Sequence, residues 1–373
     1  MYRPLALLIA FCVYVAGVWA VAVTEWAPPA AAGVVGSGSD AAPGSGTSSS
    51  SPGPKPTPSS TAVGIPATWT LSTLRNYLVA ETDAKDPGVA LADLERITRK
   101  SPYVDGFCHP VAHEIGHAAL AKYKGDFTKA VSYRNDVCGS GYLHGVVEEK
   151  LSQSPNPRTA VTTLCAPAQT GSCIHGIGHG AMFVSDLNVA EAERLCDRFP
   201  QPDEVGACSE GVFMQLFEPD ESDPKAMAEL PADKLAAEPL YPCPEQPGTF
   251  QSGCYYYAPS YFLQVHDYAH HPGAFVQALT WCLKAPSGDG RSTCTMGTGS
   301  RLMKYNIDRP VWTAAQCEQA STDGLRRSCF AGMVSYWNVN FHDKSAGSKL
   351  CPQLGGEARR LCSAVSGSGG SAD

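Results

Sequence analysis

The sequence predicts an all-α fold, in which about seven disulfide-stapled helical hairpins stack into an α-solenoid or an α/α toroid. Three observations predict it: cysteines at nearly constant spacing, a glycine at a fixed distance after several of them, and a period of about 35 residues. Hairpins of this size cannot bury their apolar faces alone, so we expect each to pack on its neighbours. The sequence leaves open whether the stack is an open arc or a closed ring.

The cysteines supply the first observation. The chain has 15 cysteines, of which Cys12 lies in an apolar N-terminal run. The others are even in number, which in an exported domain indicates disulfides. Most neighbouring cysteines lie eight to twelve residues apart, and the first two are left as a wider pair. The spacing therefore predicts the bridges Cys108–Cys138, Cys165–Cys173, Cys196–Cys208, Cys243–Cys254, Cys282–Cys294, Cys317–Cys329 and Cys351–Cys362.

A glycine follows three residues after the second cysteine of four of these pairs, at Gly176, Gly211, Gly297 and Gly332. Because glycine has no Cβ, we expect these positions to let neighbouring helices approach closely. In period, and in period only, the repeat is similar to helical-hairpin solenoids of the tetratricopeptide type.

The N-terminal residues 1–25 contain an uncharged apolar run from Leu5 to Val23, preceded by Arg3. A run of this length predicts a single-pass membrane anchor with its N-terminus inside. A cleaved signal peptide is the alternative, because the small residues around Val21 suit a signal peptidase. Either segment places the rest of the chain outside the cytoplasm, attached to the cell membrane or secreted.

Composition sets the remaining boundaries. Residues 26–66 are rich in Gly, Ser, Pro and Thr and predict a disordered stalk, and residues 366–373 predict a disordered tail. Residues 67–365 then form the extracytoplasmic repeat domain. The formal net charge of −8 offers no basic surface, so nucleic acid is not an expected partner.

The histidines recur at equivalent places in consecutive repeats. The segments HEIGH (113–117), HGVVE (144–148) and HGIGH (175–179) each place two polar side chains one helical turn apart. Equivalent helices of a stack lie about 8–10 Å apart, so these side chains can converge on one or two metal ions. The predicted ligands are His113, His117, His144, Glu148, His175 and His179, with His109 and Glu210 as supporting residues around them.

The predicted ligands are imidazoles and carboxylates, because the cysteines are assigned to bridges. This set suits zinc first, then copper, iron, nickel or manganese. The alternative is that these polar side chains pack and hydrogen-bond among themselves without an ion.

The segment HEIGH also matches HExxH and resembles the zincin metallopeptidases over these five residues. The resemblance implies that His113 and His117 bind zinc and that Glu114 is the general base. The sister segments show that the motif belongs to the repeat, and Gly176 stands where Glu114 stands. Two functions therefore remain open: a metal-dependent hydrolase, and a non-catalytic interaction scaffold with a peptide or protein partner on its repeat surface.

Overall fold

The computed structural model describes residues 69–101, 104, 106–166, 170–219, 230–340 and 346–367. Every regular element in these ranges is helical, which confirms the predicted all-α class. The predicted N-terminal segment and stalk, and the tail beyond residue 367, lie outside these ranges. Within the described ranges, none of the helices combines the length and apolarity that crossing a membrane requires.

The helices alternate between long and short along most of the chain. In order they are α1 (Leu71–Ala84), α2 (Pro87–Thr98), α3 (Cys108–Lys122), α4 (Phe127–Val131), α5 (Val137–Ser152), α6 (Pro157–Thr163), α7 (Gly171–Val184), α8 (Val189–Cys196), α9 (Pro202–Phe217), α10 (Ala232–Ala237), α11 (Gly248–Val265), α12 (Ala274–Trp281), α13 (Asp289–Lys304), α14 (Pro310–Cys317), α15 (Asp323–Asn340) and α16 (Gly356–Gly367).

Three of the short helices begin in the same way. The side chains of Asp126, Asn156 and Asn188 accept a hydrogen bond from the backbone N–H three residues on, at the starts of α4, α6 and α8. These side chains satisfy a backbone donor that has no partner inside the helix. The repeated cap fixes where each hairpin turns, and so fixes the length of the preceding connection.

The long helices form one continuous row. Each of α3, α5, α7, α9, α11, α13 and α15 packs on the next long helix in the chain. Helices α1 and α2 pack on α3, and α16 packs on α15. Helix α15 also contacts α5, so the row turns back on itself. At this junction, a Cβ added to Gly139 of α5 would lie 3.1 Å from the side chain of Val339 in α15. Neighbour-on-neighbour packing of this kind is what the predicted helical repeat requires.

All seven predicted disulfides are present. Six of them staple the end of a short connecting segment to the long helix that follows it. Cys196 at the end of α8 bonds to Cys208 in α9, and Cys317 at the end of α14 bonds to Cys329 in α15. The first bridge differs, because Cys108–Cys138 joins the starts of the neighbouring long helices α3 and α5.

Glycines set the spacing between the long helices. A Cβ on Gly145 of α5 would collide with the backbone of His113 in α3, and a Cβ on Gly211 of α9 would collide with the carbonyl oxygen of His175 in α7. Only glycine permits backbones to approach so closely. The helices that carry the histidines are therefore held closer together than side chains with a Cβ would allow.

Candidate metal centre

Four histidines from three consecutive long helices meet in the interior of the repeat domain. They are His109 and His113 of α3, His144 of α5 and His179 of α7. One ring nitrogen from each lies within 4.8 Å of the corresponding nitrogens of the other three. His109 and His113 share one face of α3 because they are four residues apart. We call these four residues the four-histidine group.

Hydrogen bonds fix the orientation of three of these rings. The Nδ1 of His109 lies 2.6 Å from the carbonyl oxygen of Cys138, and the Nδ1 of His113 lies 3.1 Å from a carboxylate oxygen of Glu148. The Nδ1 of His179 lies 3.0 Å from the amide oxygen of Gln215. Each partner oxygen accepts, so each Nδ1 carries the hydrogen and each Nε2 keeps its lone pair. Metal-binding histidines in proteins are oriented in this way.

The freed Nε2 atoms point at one another. The Nε2 atoms of His109 and His113 lie 3.0 Å apart, and the Nδ1 of His144 lies 3.4 Å from the Nε2 of His109. The Nε2 of His179 is buried and has no hydrogen-bond partner among the described residues. Two facing lone pairs repel each other, and a buried acceptor without a partner costs free energy. A cation between the rings would relieve both.

The surroundings of His109, His144 and His179 favour the neutral form of these three rings. Burial, reinforced by the neighbouring His113, lowers the pKa of His179 to about 4. Burial lowers the pKa of His109 and His144 well below the usual range, and the neighbouring histidines add to the effect. Neutral imidazole is the form that binds a metal ion, so the site holds its donors ready near neutral pH.

His117 and Glu148, two of the predicted ligands, contact each other beside the four-histidine group. The Nε2 of His117 lies 2.9 Å from one carboxylate oxygen of Glu148, and the Nδ1 of His113 lies 3.1 Å from the other. Burial opposes a charge on His117, but Glu148 outweighs it and raises the pKa of His117 to about 9. Burial likewise opposes a charge on Glu148, yet His117 and His113 hold its pKa well below the usual range. Glu148 therefore orients His113 and pairs with His117, one turn further along α3.

Glu114 lies beside His117 and outside the four-histidine group. Its carboxylate oxygen is 4.0 Å from the Nδ1 of His117, and its side chain is partly exposed. Glu114 is adjacent to His113 in sequence, and neighbouring residues on a helix project to different faces. The structure thus brings only one histidine of the HExxH segment, His113, into the group.

His175 and Glu210 occupy the same place in two consecutive repeats, next to the group. The ring of His175 stacks on that of His144 with 4.8 Å between centroids, and its Nε2 is buried without a hydrogen-bond partner among the described residues. Burial lowers the pKa of His175 well below the usual range. The side chain of Glu210 is exposed to solvent, and partial desolvation at its position on α9 raises its pKa.

Two functional contacts were missed by sequence reasoning. The carbonyl oxygen of Cys138 binds His109 because Cys138, Gly139 and Ser140 all have positive φ at the start of α5. Cysteine at position 138 and serine at position 140 are not residue types that predict a positive φ, so the sequence did not indicate this turn. Gln215 is one position past the segment 210–214 that aligns with HGIGH, so the repeat pattern did not include it. His109, in contrast, had a readable signal, because it lies four residues before His113.

The histidines near the end of α11 are separate from this site. His266, His270 and His271 are exposed and line a surface pocket between α11 and α12. The Nδ1 of His270 lies 2.9 Å from a carboxylate oxygen of the neighbouring Asp267.

Comparison with known proteins assigns no family to this arrangement: the chain matches no protein-family model, no curated protein and no solved structure. The geometry shows a histidine group that could hold a metal ion, and the disulfides indicate an oxidising, extracytoplasmic location.

Proposed function

We propose that this chain is an extracytoplasmic metal-binding protein, held at the membrane or secreted, whose ion is bound by the four-histidine group. The observation that carries the proposal is the convergence of four histidines with ring nitrogens within 4.8 Å of one another, three of which, His109, His113 and His179, donate their Nδ1 hydrogen to an oxygen. A histidine packed for structure alone needs both ring nitrogens satisfied.

Zinc is the ion we propose. Four imidazoles without thiolate or carboxylate suit zinc, copper, nickel or iron, and zinc is the stable choice in an oxidising compartment because it has no redox chemistry. When bound, zinc would supply a fixed positive charge that cross-links α3, α5 and α7. The residues that hold those rings in place are the carboxylate of Glu148, the amide of Gln215 and the backbone of Cys138.

Metal analysis of the purified full chain, produced in an oxidising compartment, tests this proposal. We expect about one equivalent of zinc in the wild type, less than about a tenth of that in His179→Ala, and no change in His266→Ala, which alters an exposed histidine outside the site. Circular dichroism of all three proteins establishes that the helices are intact. A wild type without metal, or metal retained in His179→Ala, contradicts the proposal.

A zinc-dependent hydrolase with Glu114 as base is the second function. The observation that favours it is the HExxH segment in α3, with His113 in the group and Glu114 in the next position. The zinc-loaded protein would be assayed against a peptide library beside Glu114→Gln and Glu149→Gln, the latter changing another glutamate near the site. Cleavage that is lost only in Glu114→Gln supports a hydrolase. If all three proteins are equally active, or all are inactive, Glu114 is not a catalytic base.

A further inference from the structure

A second polar cluster lies in the same interior as the four-histidine group. It consists of Arg301 and Lys304 of α13, Glu218 just after α9, and Ser260 of α11. The Nε of Arg301 donates to Glu218 at 2.7 Å and to Ser260 at 2.8 Å. The Nζ of Lys304 donates to the other carboxylate oxygen of Glu218 at 2.7 Å. We call these four residues the basic cluster, because its two cations share one carboxylate.

A chain of ring contacts connects the basic cluster to the four-histidine group. The guanidinium of Arg301 lies 4.5 Å from the centre of the Tyr257 ring, and that ring lies 6.3 Å from the ring of His175. His175 in turn stacks on His144, with 4.8 Å between the ring centroids. The two sets of side chains therefore line one interior.

The charges of the basic cluster do not balance. Arg301 and Lys304 carry two positive charges, and Glu218 carries one negative charge. All three are largely buried, with side-chain exposures of 3%, 13% and 7%. The further carboxyl group near Arg301 is that of Glu210, whose side chain is exposed to solvent. A buried excess of positive charge is costly unless an anion accompanies it.

Donor groups of the basic cluster remain for such an anion. Among the described residues, the Nζ of Lys304 has one hydrogen-bond acceptor, Glu218, although an ammonium group carries three hydrogens. The Nε of Arg301 donates two short hydrogen bonds, whereas its Nη1 makes only a long 3.5 Å contact with the carbonyl oxygen of Gly297. A fork of guanidinium and ammonium hydrogens is the arrangement that proteins use to bind oxyanions.

We propose that Lys304 and Arg301 bind a small oxyanion, a carboxylate or a phosphate group, in the interior beside the four-histidine group. The inference rests in part on the proposed metal function, because a divalent ion held by neutral imidazoles adds two further positive charges next to the same site. The anion would lie among the positive charges of Lys304 and Arg301, which Glu218 balances only in part. This assigns an anionic ligand class to the interior of the repeat domain.

Isothermal titration calorimetry of the full chain with inorganic phosphate, and separately with acetate, tests the proposal. Metal content is measured first, and the titrations are run on the zinc-loaded and the metal-free protein. We expect one binding site in the wild type, affinity reduced about tenfold or more in Lys304→Met, and no change in Lys284→Met, which alters an exposed lysine. The tighter of the two anions identifies the ligand class.

The outcomes separate this inference from the metal proposal. If the chain binds no metal, the metal proposal fails, yet binding that depends on Lys304 in the metal-free protein still supports the oxyanion site. Absence of saturable binding in both forms of the wild type overturns the inference, as does equal affinity in Lys304→Met. If Lys304→Met does not fold, Lys304→Gln, which can still donate to Glu218, takes its place with the same expectation.

Discussion

The two halves of the helical row share one scaffold but carry different polar side chains into the interior. In the first half, α3, α5 and α7 contribute neutral histidines, and in the second half, α11 and α13 contribute Ser260, Arg301 and Lys304. Both halves are closely packed through glycine, since a Cβ on Gly145 would meet the backbone of His113 and a Cβ on Gly299 would meet that of Cys329. The spacing of glycines and disulfides thus determines the helical repeat, and the polar side chains between them differ from one half of the row to the other.

The largest expected effect tests the shared scaffold. Gly211→Ala places a methyl group against the carbonyl oxygen of His175, so we expect a loss of at least about 3 kcal/mol in the free energy of unfolding. Gly206→Ala is the matched control in the same helix, because a Cβ there meets no neighbouring atom, and it should stabilise by about 0.5–1 kcal/mol. Urea denaturation measures both. Equal effects of the two substitutions would show that close packing at Gly211 does not set the helix spacing.

Disulfide removal separates the scaffold from the site. Replacing both cysteines of Cys108–Cys138, or both of Cys351–Cys362, by serine should cost about 3–4 kcal/mol of stability in either case. Only the first change should also weaken zinc binding, by about tenfold or more, because the backbone of Cys138 holds the ring of His109. Competition with a chelator measures the affinity. An equal loss of affinity in both variants would mean that zinc binding follows global stability alone.

Acid should destabilise the metal-free protein through its neutral histidines. The pKa of His179 is lowered to about 4 in the folded protein, so the unfolded chain takes up a proton first as pH falls below about 6.5. Stability should therefore fall between pH 6.5 and 4, by up to about 3 kcal/mol from this residue. The pairing of His117 does not cancel this, because its raised pKa adds a stability that is already complete below pH 6.5. A flatter profile in His179→Gln is expected, and an unchanged slope would contradict the assignment.

The smallest expected effect concerns the amide that orients His179. Gln215→Leu removes the oxygen that accepts the Nδ1 hydrogen, so zinc affinity should fall by about 10–100-fold with little change in helical content. Gln264→Leu alters an exposed glutamine in α11 and should leave affinity unchanged. Retained affinity in Gln215→Leu would show that His179 is oriented by its packing and not by this hydrogen bond.

The sequence predicted the scaffold better than the site, for a physical reason. Cysteine spacing and glycine position are read directly from the chain, because a short disulfide loop or a close backbone approach depends on those residue types alone. The contacts that distinguish His109 from His117 were not predictable in this way. Both lie four residues from His113, so the spacing alone does not distinguish them. The difference comes from the neighbouring helix α5, whose Cys138 carbonyl oxygen accepts from His109 and whose Glu148 carboxylate pairs with His117.

The measurement that tests the central claim most directly is the zinc content of His109→Gln beside that of His117→Gln. The two histidines flank His113 on α3 at the same spacing, so the variants are matched in chemistry and in helix. The account predicts that His109→Gln loses most of the zinc and that His117→Gln retains about one equivalent. Zinc lost in His117→Gln and kept in His109→Gln would contradict the four-histidine group and restore the HExxH pair as the ligands.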